Sequence, residues 1–403
     1  MNKYIIIFLL SFSSFFAQEK GHPYVLLISF DGFRWDYPSR GLTPTLGKMA
    51  VEGVSALSLK PVFPSKTFPN HYSIVTGMTA EKHGIMANSF ENPFTGERYR
   101  LGDTNAVRSG KWYWGEAIWE TLEKNKITTA SYFWPGSEVR DEGRHPSYFM
   151  QYEHEKPYIE RVNGVFQWFN LPYEKRPKFV TLYFDRSDTK GHEFGPYSPE
   201  VNLSISELDS LLGIILTMRD ASSVKDSLDI IVVSDHGMAE TSPERVYNVE
   251  TLLPGITCKY IDSGPVMQIA AEQKDISAIM EKLSAPGLPF RAYKREDIPE
   301  YLRIKKHPYL RDILIVAEMG WSLVSESSKK YSYGSRNGGN HGYENFHTDM
   351  HGIFFAYGPS FRSGFKASTL SNLDIYPLLC KLYGVEPSSK AEGRLENIEY
   401  ILK

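Results

Sequence analysis

Asp229-Ile-Ile-Val-Val-Ser234 runs directly into Asp235-His236-Gly237. Six residues rich in β-branched side chains, closed by an acid, an imidazole and a glycine, read as a fully buried strand that ends at a functional turn. The pattern recurs on both sides. Tyr24–Ser29 (YVLLIS) ends at Asp31-Gly32, and Phe179–Phe184 (FVTLYF) ends at Asp185 and Asp188. Ile353–Tyr357 (IFFAY) is closed by Gly358-Pro359 and preceded by a Gly-rich segment carrying His341. Between the runs lie helical stretches. Val201–Arg219 has apolar residues at 201, 205, 208, 212, 215 and 216, close to a 3.6 period, and Met267–Ser284 and Leu370–Leu382 are also read as helices. Strands alternating with helices predict an α/β fold with a mostly parallel central sheet covered on both faces. Functional groups of such sheets collect beyond the carboxyl ends of the strands. Residues about 253–335 keep the weakest α/β rhythm and are read as a smaller inserted subdomain; the basic pairs Lys294-Arg295 and Lys305-Lys306 within it are read as solvated surface.

The whole chain sets bounds on this reading. It has 403 residues, 41% hydrophobic and 23% charged, which is globular composition with enough length to bury a sizeable core. A net charge of −3 argues against a polycationic nucleic-acid binder, so no specific nucleic-acid binding is expected. Two cysteines, Cys258 and Cys380, exclude a disulfide scaffold, an all-cysteine zinc site and a cysteine-held iron–sulfur cluster. They could form one disulfide or remain two buried thiols.

The N-terminus reads as a targeting segment. Met1–Lys3 is a basic start, Tyr4–Phe16 is almost wholly apolar, and Ala17 precedes polar residues. This is the layout of a secretory signal covering residues 1–17, and 13 apolar residues are too few for a membrane span, which takes about 20. A buried first helix or an anchor is the competing reading. No second run reaches spanning length. The expectation is a single catalytic domain over 18–403, exported to a periplasm or secreted, with no stable membrane anchor after cleavage.

Set side by side, the acids and imidazoles form two sets. Asp188 and His192 are four apart, Asp235 and His236 are adjacent, and Asp31 and His341 complete them. Mixed carboxylate and imidazole ligation suits zinc, and also manganese or iron. Two such ions a few ångströms apart can clamp the attacking and leaving oxygens of a phosphoryl transfer. Each residue alone has a plainer reading, as a turn, a cap or a structural histidine. Thr67 lies just before an expected helix from near Phe68, with Pro69 suited to its first turn. A hydroxyl there meets the positive end of the helix dipole, which favours an alkoxide. It could equally be a helix cap, and Ser65 is the competing nucleophile.

Lys66-Thr67-Phe68-Pro69-Asn70-His71, His83-Gly84-Ile85, Trp134-Pro135-Gly136-Ser137, Asp188-x-x-Gly-His192, Ser234-Asp235-His236-Gly237-Met238 and His341-Gly-Tyr-Glu-Asn345 occur in one series. In that order they resemble the nucleotide pyrophosphatase/phosphodiesterase family of the alkaline phosphatase superfamily, over about Tyr24 to Lys403. The resemblance implies an alkaline-phosphatase-like fold and two zinc ions per chain. It implies that Asp188, His192 and His341 hold one ion, that Asp31, Asp235 and His236 hold the other, and that Thr67 is the nucleophile in contact with the second. Asn88 would donate to a phosphoryl oxygen, and Phe68, Trp134 and Tyr152 match positions where the family holds a nucleobase. The implied reaction is hydrolysis of nucleotide phosphodiester or pyrophosphate bonds through a nucleotidyl-threonine, releasing a nucleoside 5′-monophosphate. The substrate would be a nucleotide or another small phosphodiester. Relatives that split choline phosphoesters, lysophospholipids, phosphomonoesters or phosphonates are alternatives, as is a binding protein that keeps metal for structure.

Two departures stand out: Tyr183-Phe-Asp-Arg-Ser-Asp188 lacks the usual Glu-Pro before its last acid, and Glu replaces Asp after His341-Gly-Tyr. His71, His83 and His351 carry no ligand role in the resemblance. His22, His145, His154, His307 and His347 are expected at the surface or in local hydrogen bonds. Tyr333–Gly342 lacks the Gly-Lys-Ser/Thr of a phosphate loop and is read as the loop that carries His341.

Overall fold

The structure is a computed structural model and describes residues 22–326, 328 and 337–403. The signal segment and part of the 333–342 loop lie outside the described residues. An eight-stranded sheet forms the centre. In spatial order its strands are Phe365–Ala367, Val54–Ala56, Phe354–Tyr357, Leu228–Val233, Tyr24–Phe30, Phe179–Phe184, Thr129–Tyr132 and Tyr148–Met150. The middle of the sheet is parallel: Val25 pairs with Phe179 on one side and Asp229 on the other. The chain is thus α/β with a large, mostly parallel mixed sheet.

The strand Tyr24–Phe30 is buried along its whole length because both faces are covered. Leu26 and Ile28 meet one core, with Val180, Leu182, Ile230 and the helix Pro199–Ala221. Val25 and Leu27 meet the other, with Ile74 and Val75 of the helix Thr67–Thr76 and with Leu378 and Leu379. This alternation is the period of a pleated strand, and coverage on both faces explains the unbroken apolar runs.

Phe354–Tyr357 runs antiparallel to Leu228–Val233, so the segment before it, which carries His341, lies at the functional edge. Two expectations are corrected. The stretch 267–284 is not one helix. Val266–Ala271 is a strand, and only Ile276–Leu283 is helical. Pairing with Cys258–Ile261 and Ile313–Ala317 overrides the helical period there. The helix Pro199–Ala221 is long and apolar enough by composition to cross a membrane, contrary to the reading that no second run is. It buries Val201, Ile205, Leu208, Leu212 and Ile215 in the core instead. His307 is fully buried and takes the local hydrogen-bonding alternative, its Nδ1 accepting the Tyr309 N–H at 3.1 Å.

Residues 258–317 supply a second, antiparallel sheet in the order Cys258–Ile261, Val266–Ala271, Ile313–Ala317, Phe290–Lys294. It has its own core around Met267, Ile269, Ile279 and Ile315. Its first turn, 262–265, reaches the functional edge of the central sheet. Cys258 and Cys380 are both free thiols.

Candidate active site and metal centre

Parallel strands deliver their carboxyl ends to one edge. Tyr24–Phe30 ends at Asp31, Leu228–Val233 leads to Asp235 and His236, and Phe179–Phe184 feeds the helix Arg186–Phe194. That helix carries Asp188 in its first turn and His192 one turn on, so both fall on one face. His341 arrives from the loop before the antiparallel strand.

Gly32 makes this convergence feasible. Its φ is +64°, and a Cβ there would lie 2.9 Å from the Cα of Asp188. Only a residue without a side chain lets the two acids approach so closely.

The six predicted metal ligands meet in one place. Asp188, His192 and His341 form one group of converging ligand atoms. Nε2 of His236 lies 3.4 Å from Oδ1 of Asp31 and 3.0 Å from Oδ2 of Asp235. Asp188 also approaches Asp31 and His236, so the two groups adjoin. In all three histidines the Nδ1–H donates to a backbone carbonyl: His192 to Gly339 (2.9 Å), His341 to Ser65 (2.8 Å), His236 to Gly237 (2.8 Å). Each Nε2 lone pair is thereby turned inward as a ligand. The Nε2 atoms of His192 and His341 face each other at 3.1 Å, two acceptors that a shared cation would reconcile. Oδ1 of Asp31, Oδ1 of Asp188 and Oδ2 of Asp235 are buried without a well-formed hydrogen bond among the described residues. Buried acceptors in that state call for a cation.

The electrostatics agree. Burial, with the charges of Asp235 and Asp188 close by, pushes the Asp31 carboxyl well above its ordinary range. Burial also raises Asp188. For Asp235, burial is opposed by His236 and His71, which together hold it well below the usual carboxylate range. Burial, then His236 and His192, push the His341 imidazole far down. The donor set of carboxylates and imidazole Nε2 atoms fits zinc.

Thr67 is the first residue of its helix; Lys66 is the cap, and no side chain caps that end. The helix-cap reading of Thr67 is therefore set aside. Its Oγ1 lies 3.2 Å from Nε2 of His236, on the Asp31/Asp235 side. Ser65 is fully buried, and its hydroxyl donates to the Tyr343 carbonyl (2.8 Å), so it faces away from the site. Asn88 Oδ1 accepts from the Phe68 N–H (3.0 Å), which leaves its amide NH2 as the donor for a ligand. Thr67, Phe68, Asn88, Trp134 and Tyr152 all line one cavity of about 590 Å³ with the candidate ligands Asp31, Asp188, His192 and His341.

The three aromatics differ in setting. Tyr152 is 47% exposed, at the mouth, and packs on Phe133 at 5.2 Å. Phe68 is half-buried, whereas Trp134 is buried. The Trp134 indole N–H donates to the His71 carbonyl (3.0 Å), and its ring meets the His71 ring edge-on. Trp134 is a floor more than a free stacking surface.

Sequence reasoning passed over several supporting residues. Tyr183 donates to Oδ2 of Asp31 (2.5 Å). His71 donates from Nδ1 to the Thr67 carbonyl (2.9 Å), while Nε2 pairs with the Ser29 hydroxyl (2.8 Å). With both ring nitrogens engaged, His71 holds the Thr67 backbone, although it also lies beside Asp31 and Asp235. A lone serine in an otherwise apolar strand was the signal for Ser29 and its partner. Lys66 pairs with Asp262 of the second sheet (2.5 Å), for which no local signal existed.

The type I phosphodiesterase / nucleotide pyrophosphatase family profile matches residues 25–344. Human ectonucleotide pyrophosphatase/phosphodiesterase family member 5 is 35% identical over 98% of this chain and 82% of that protein. Human bis(5′-adenosyl)-triphosphatase is 36% identical over 91% of this chain and 79% of that protein. The solved murine family member 5, an inactive threonine-to-alanine variant in complex with AMP, superposes with a TM-score of 0.88 at 32% identity. That match covers 94% of this chain and 100% of the other.

Proposed function

Since this chain belongs to the type I phosphodiesterase / nucleotide pyrophosphatase family, hydrolases of phosphoric ester and anhydride bonds, we propose that it is a two-zinc enzyme acting on nucleotide diesters or pyrophosphates. The observation that carries this reading is the inward turn of three Nε2 atoms and three carboxylates beside a hydroxyl at a helix N-terminus. Asp188, His192 and His341 would hold one ion, and Asp31, Asp235 and His236 the other. When bound, the ions would supply Lewis-acid neutralisation to the attacking and leaving oxygens.

The chain's own groups do the rest. Thr67 Oγ attacks phosphorus, with the positive helix end favouring its alkoxide. His71 holds the Thr67 carbonyl, so the nucleophile's backbone does not drift. The Asn88 amide donates to a phosphoryl oxygen as charge builds there. The bond to the leaving oxygen breaks on the opposite side, toward Asp188, His192 and His341. Water then cleaves the nucleotidyl-threonine and releases a nucleoside 5′-monophosphate. Phe68 and Tyr152 would sandwich the base over Trp134, since any base offers a π-face. AMP bound to the murine relative supports this reading. The apolar N-terminal segment supports an exported enzyme.

A turnover panel with metal analysis tests the proposal. The nitrophenyl ester of a nucleoside 5′-monophosphate should be cleaved far faster than nitrophenyl phosphate or nitrophenyl phosphocholine, with two zinc ions per chain. Preference for the monoester or the phosphocholine would move the chain to another branch of the superfamily. Metal binding with no turnover of any of the three would make it a binding protein.

A further inference from the structure

Two contacting sets of residues line the cavity. In one, Asn88 accepts the Phe68 N–H, and Glu138 pairs with Arg108 and accepts the Tyr152 N–H. In the other, Lys66 pairs with Asp262 of the turn 262–265 of the second sheet, and Asn340 accepts the His341 N–H and faces Gly264 of that turn. The second set includes His341, one of the three residues proposed to face the leaving group. The Ser65 carbonyl, one residue before Lys66, accepts from His341 Nδ1, whereas Thr67 on the far side of Lys66 contacts His236. The Lys66 stem lies along Gly342, where a Cβ would come within 3.1 Å of its Cε. In the in-line displacement proposed above, the leaving group would depart opposite the Thr67 hydroxyl, toward His341 and therefore toward this set.

Lys66 is only 7% exposed, and its ammonium pairs with Oδ2 of Asp262 at 2.5 Å. The Asp262 carboxylate is itself anchored, because its Oδ1 accepts the Ser263 N–H at 2.9 Å. Asp262 adopts a left-handed backbone with φ +67° at the turn, a conformation aspartate tolerates better than most residues. The second sheet thus presents a held carboxylate to Lys66, while Arg108, the other cation lining the cavity among the described residues, pairs with Glu138. A phosphate on the leaving group would have to compete with that carboxylate for Lys66.

Resting on the nucleotide reading above, we infer that Asp262 is a specificity-determining residue: it withholds the Lys66 ammonium from leaving-group phosphates. The enzyme then favours nucleotide diesters whose leaving group is an uncharged alcohol over anhydrides whose leaving group is pyrophosphate. Releasing Lys66 gives a leaving-group phosphate one partly screened ion pair, worth roughly tenfold in affinity.

The test measures dissociation constants of AMP and ATP on zinc-loaded Thr67→Ala by calorimetry. AMP reports the nucleotide half alone, and ATP adds the leaving group. Adding Asp262→Asn should tighten ATP roughly tenfold and leave AMP within about twofold. Adding Lys66→Met as well should erase that gain. Lys66→Met alone should leave the ratio of the two constants unchanged, which keeps the idea testable if Asp262→Asn misfolds. An unchanged ratio in Asp262→Asn, a parallel change in both nucleotides, or a gain that survives Lys66→Met would overturn the inference. Selective loss of ATP affinity in Lys66→Met alone would overturn it too, because the ammonium would already be serving the substrate. Failure of the parent to bind AMP at all would instead strike the nucleotide reading, and this inference with it.

Discussion

Thr67 and Ser65 stand two apart in one motif, and their surroundings separate them. The Thr67 hydroxyl faces the metal-ligand cluster, whereas the Ser65 hydroxyl is spent on the Tyr343 carbonyl. Thr67→Ala should keep its fold and zinc but lose diesterase activity by several orders of magnitude, and Thr67→Ser should retain part. Ser65→Ala should cost about 1 kcal/mol of stability, the ordinary worth of one hydrogen bond, and leave the chemistry in place. Values of kcat/KM, zinc content and urea midpoints for the three variants check this; a dead Ser65→Ala beside an active Thr67→Ala would mean the nucleophile is misassigned. At the mouth, Tyr152→Ala removes a stacking face worth about 1–3 kcal/mol per base. It should raise KM for a nucleotide diester and barely affect a small nitrophenyl diester that lacks a base. Equal losses on both would make Tyr152 a structural residue. Thr67 and Ser65 were legible from a motif and its neighbours, and Tyr152 from its match to a family position. Tyr183 acquired its role only from a neighbour distant in the chain, Asp31, and His71 joins its local contact with Thr67 to a distant one with Ser29.

The turn after the first strand is the element on which both halves of the metal centre depend. Gly32 has φ +64° and faces the Asp188 backbone. Gly32→Ala should therefore lower zinc content and activity together, read by metal analysis beside turnover; full zinc occupancy in this variant would show that the turn has slack. Buried histidines predict a pH dependence of elements away from the site. Burial pushes His307 down to about 4, and its ring is held between the Gly84 carbonyl and the Tyr309 N–H. The folded state keeps this ring neutral while the unfolded chain protonates it near 6.5. Its stability is therefore present above pH 6.5 and drains away as pH falls toward 4. At about pH 5 the loss is about 2 kcal/mol. In chelator-stripped protein, the drop in urea midpoint between about pH 7 and pH 5 should shrink in His307→Gln, even though that variant starts less stable. An unaltered drop would mean that the acid sensitivity lies elsewhere. His307 also shows what a local reading misses. Nothing around it marks burial; Trp114, stacked on its ring at 5.0 Å, comes from a distant segment.

At the scale of the molecule, the metal centre ties three strand ends and the loop before a fourth into one point, so the ions should hold the fold together as well as serve the chemistry. Removing them leaves crowded, buried carboxylates. A ligand that binds only the folded state at a thousandfold over Kd adds about 4 kcal/mol. The zinc-loaded chain should melt well above the chelated one, bind two ions, and lose activity on chelation. Identical melting curves with full activity in chelator would remove the metal from the account. What the sequence determined by itself was whatever is written in short, contiguous stretches. Four apolar runs announced the buried strands, and the acids closing three of them announced the functional edge, because a strand covered on both faces has few polar positions to spare. The spacing of Asp188 and His192 put two candidate ligands on one helical face, because side chains four apart lie one above the other along a helix. What only the tertiary structure decided was pairing. The direction of Phe354–Tyr357 follows from its partner strand, since an antiparallel neighbour has the same composition as a parallel one. Val266–Ala271 is a strand because two other strands flank it, against its own period. The Lys66–Asp262 pair joins residues 196 apart. No pattern at that distance is visible along a chain, because an ion pair depends on where two folded surfaces meet and not on the residues beside either partner.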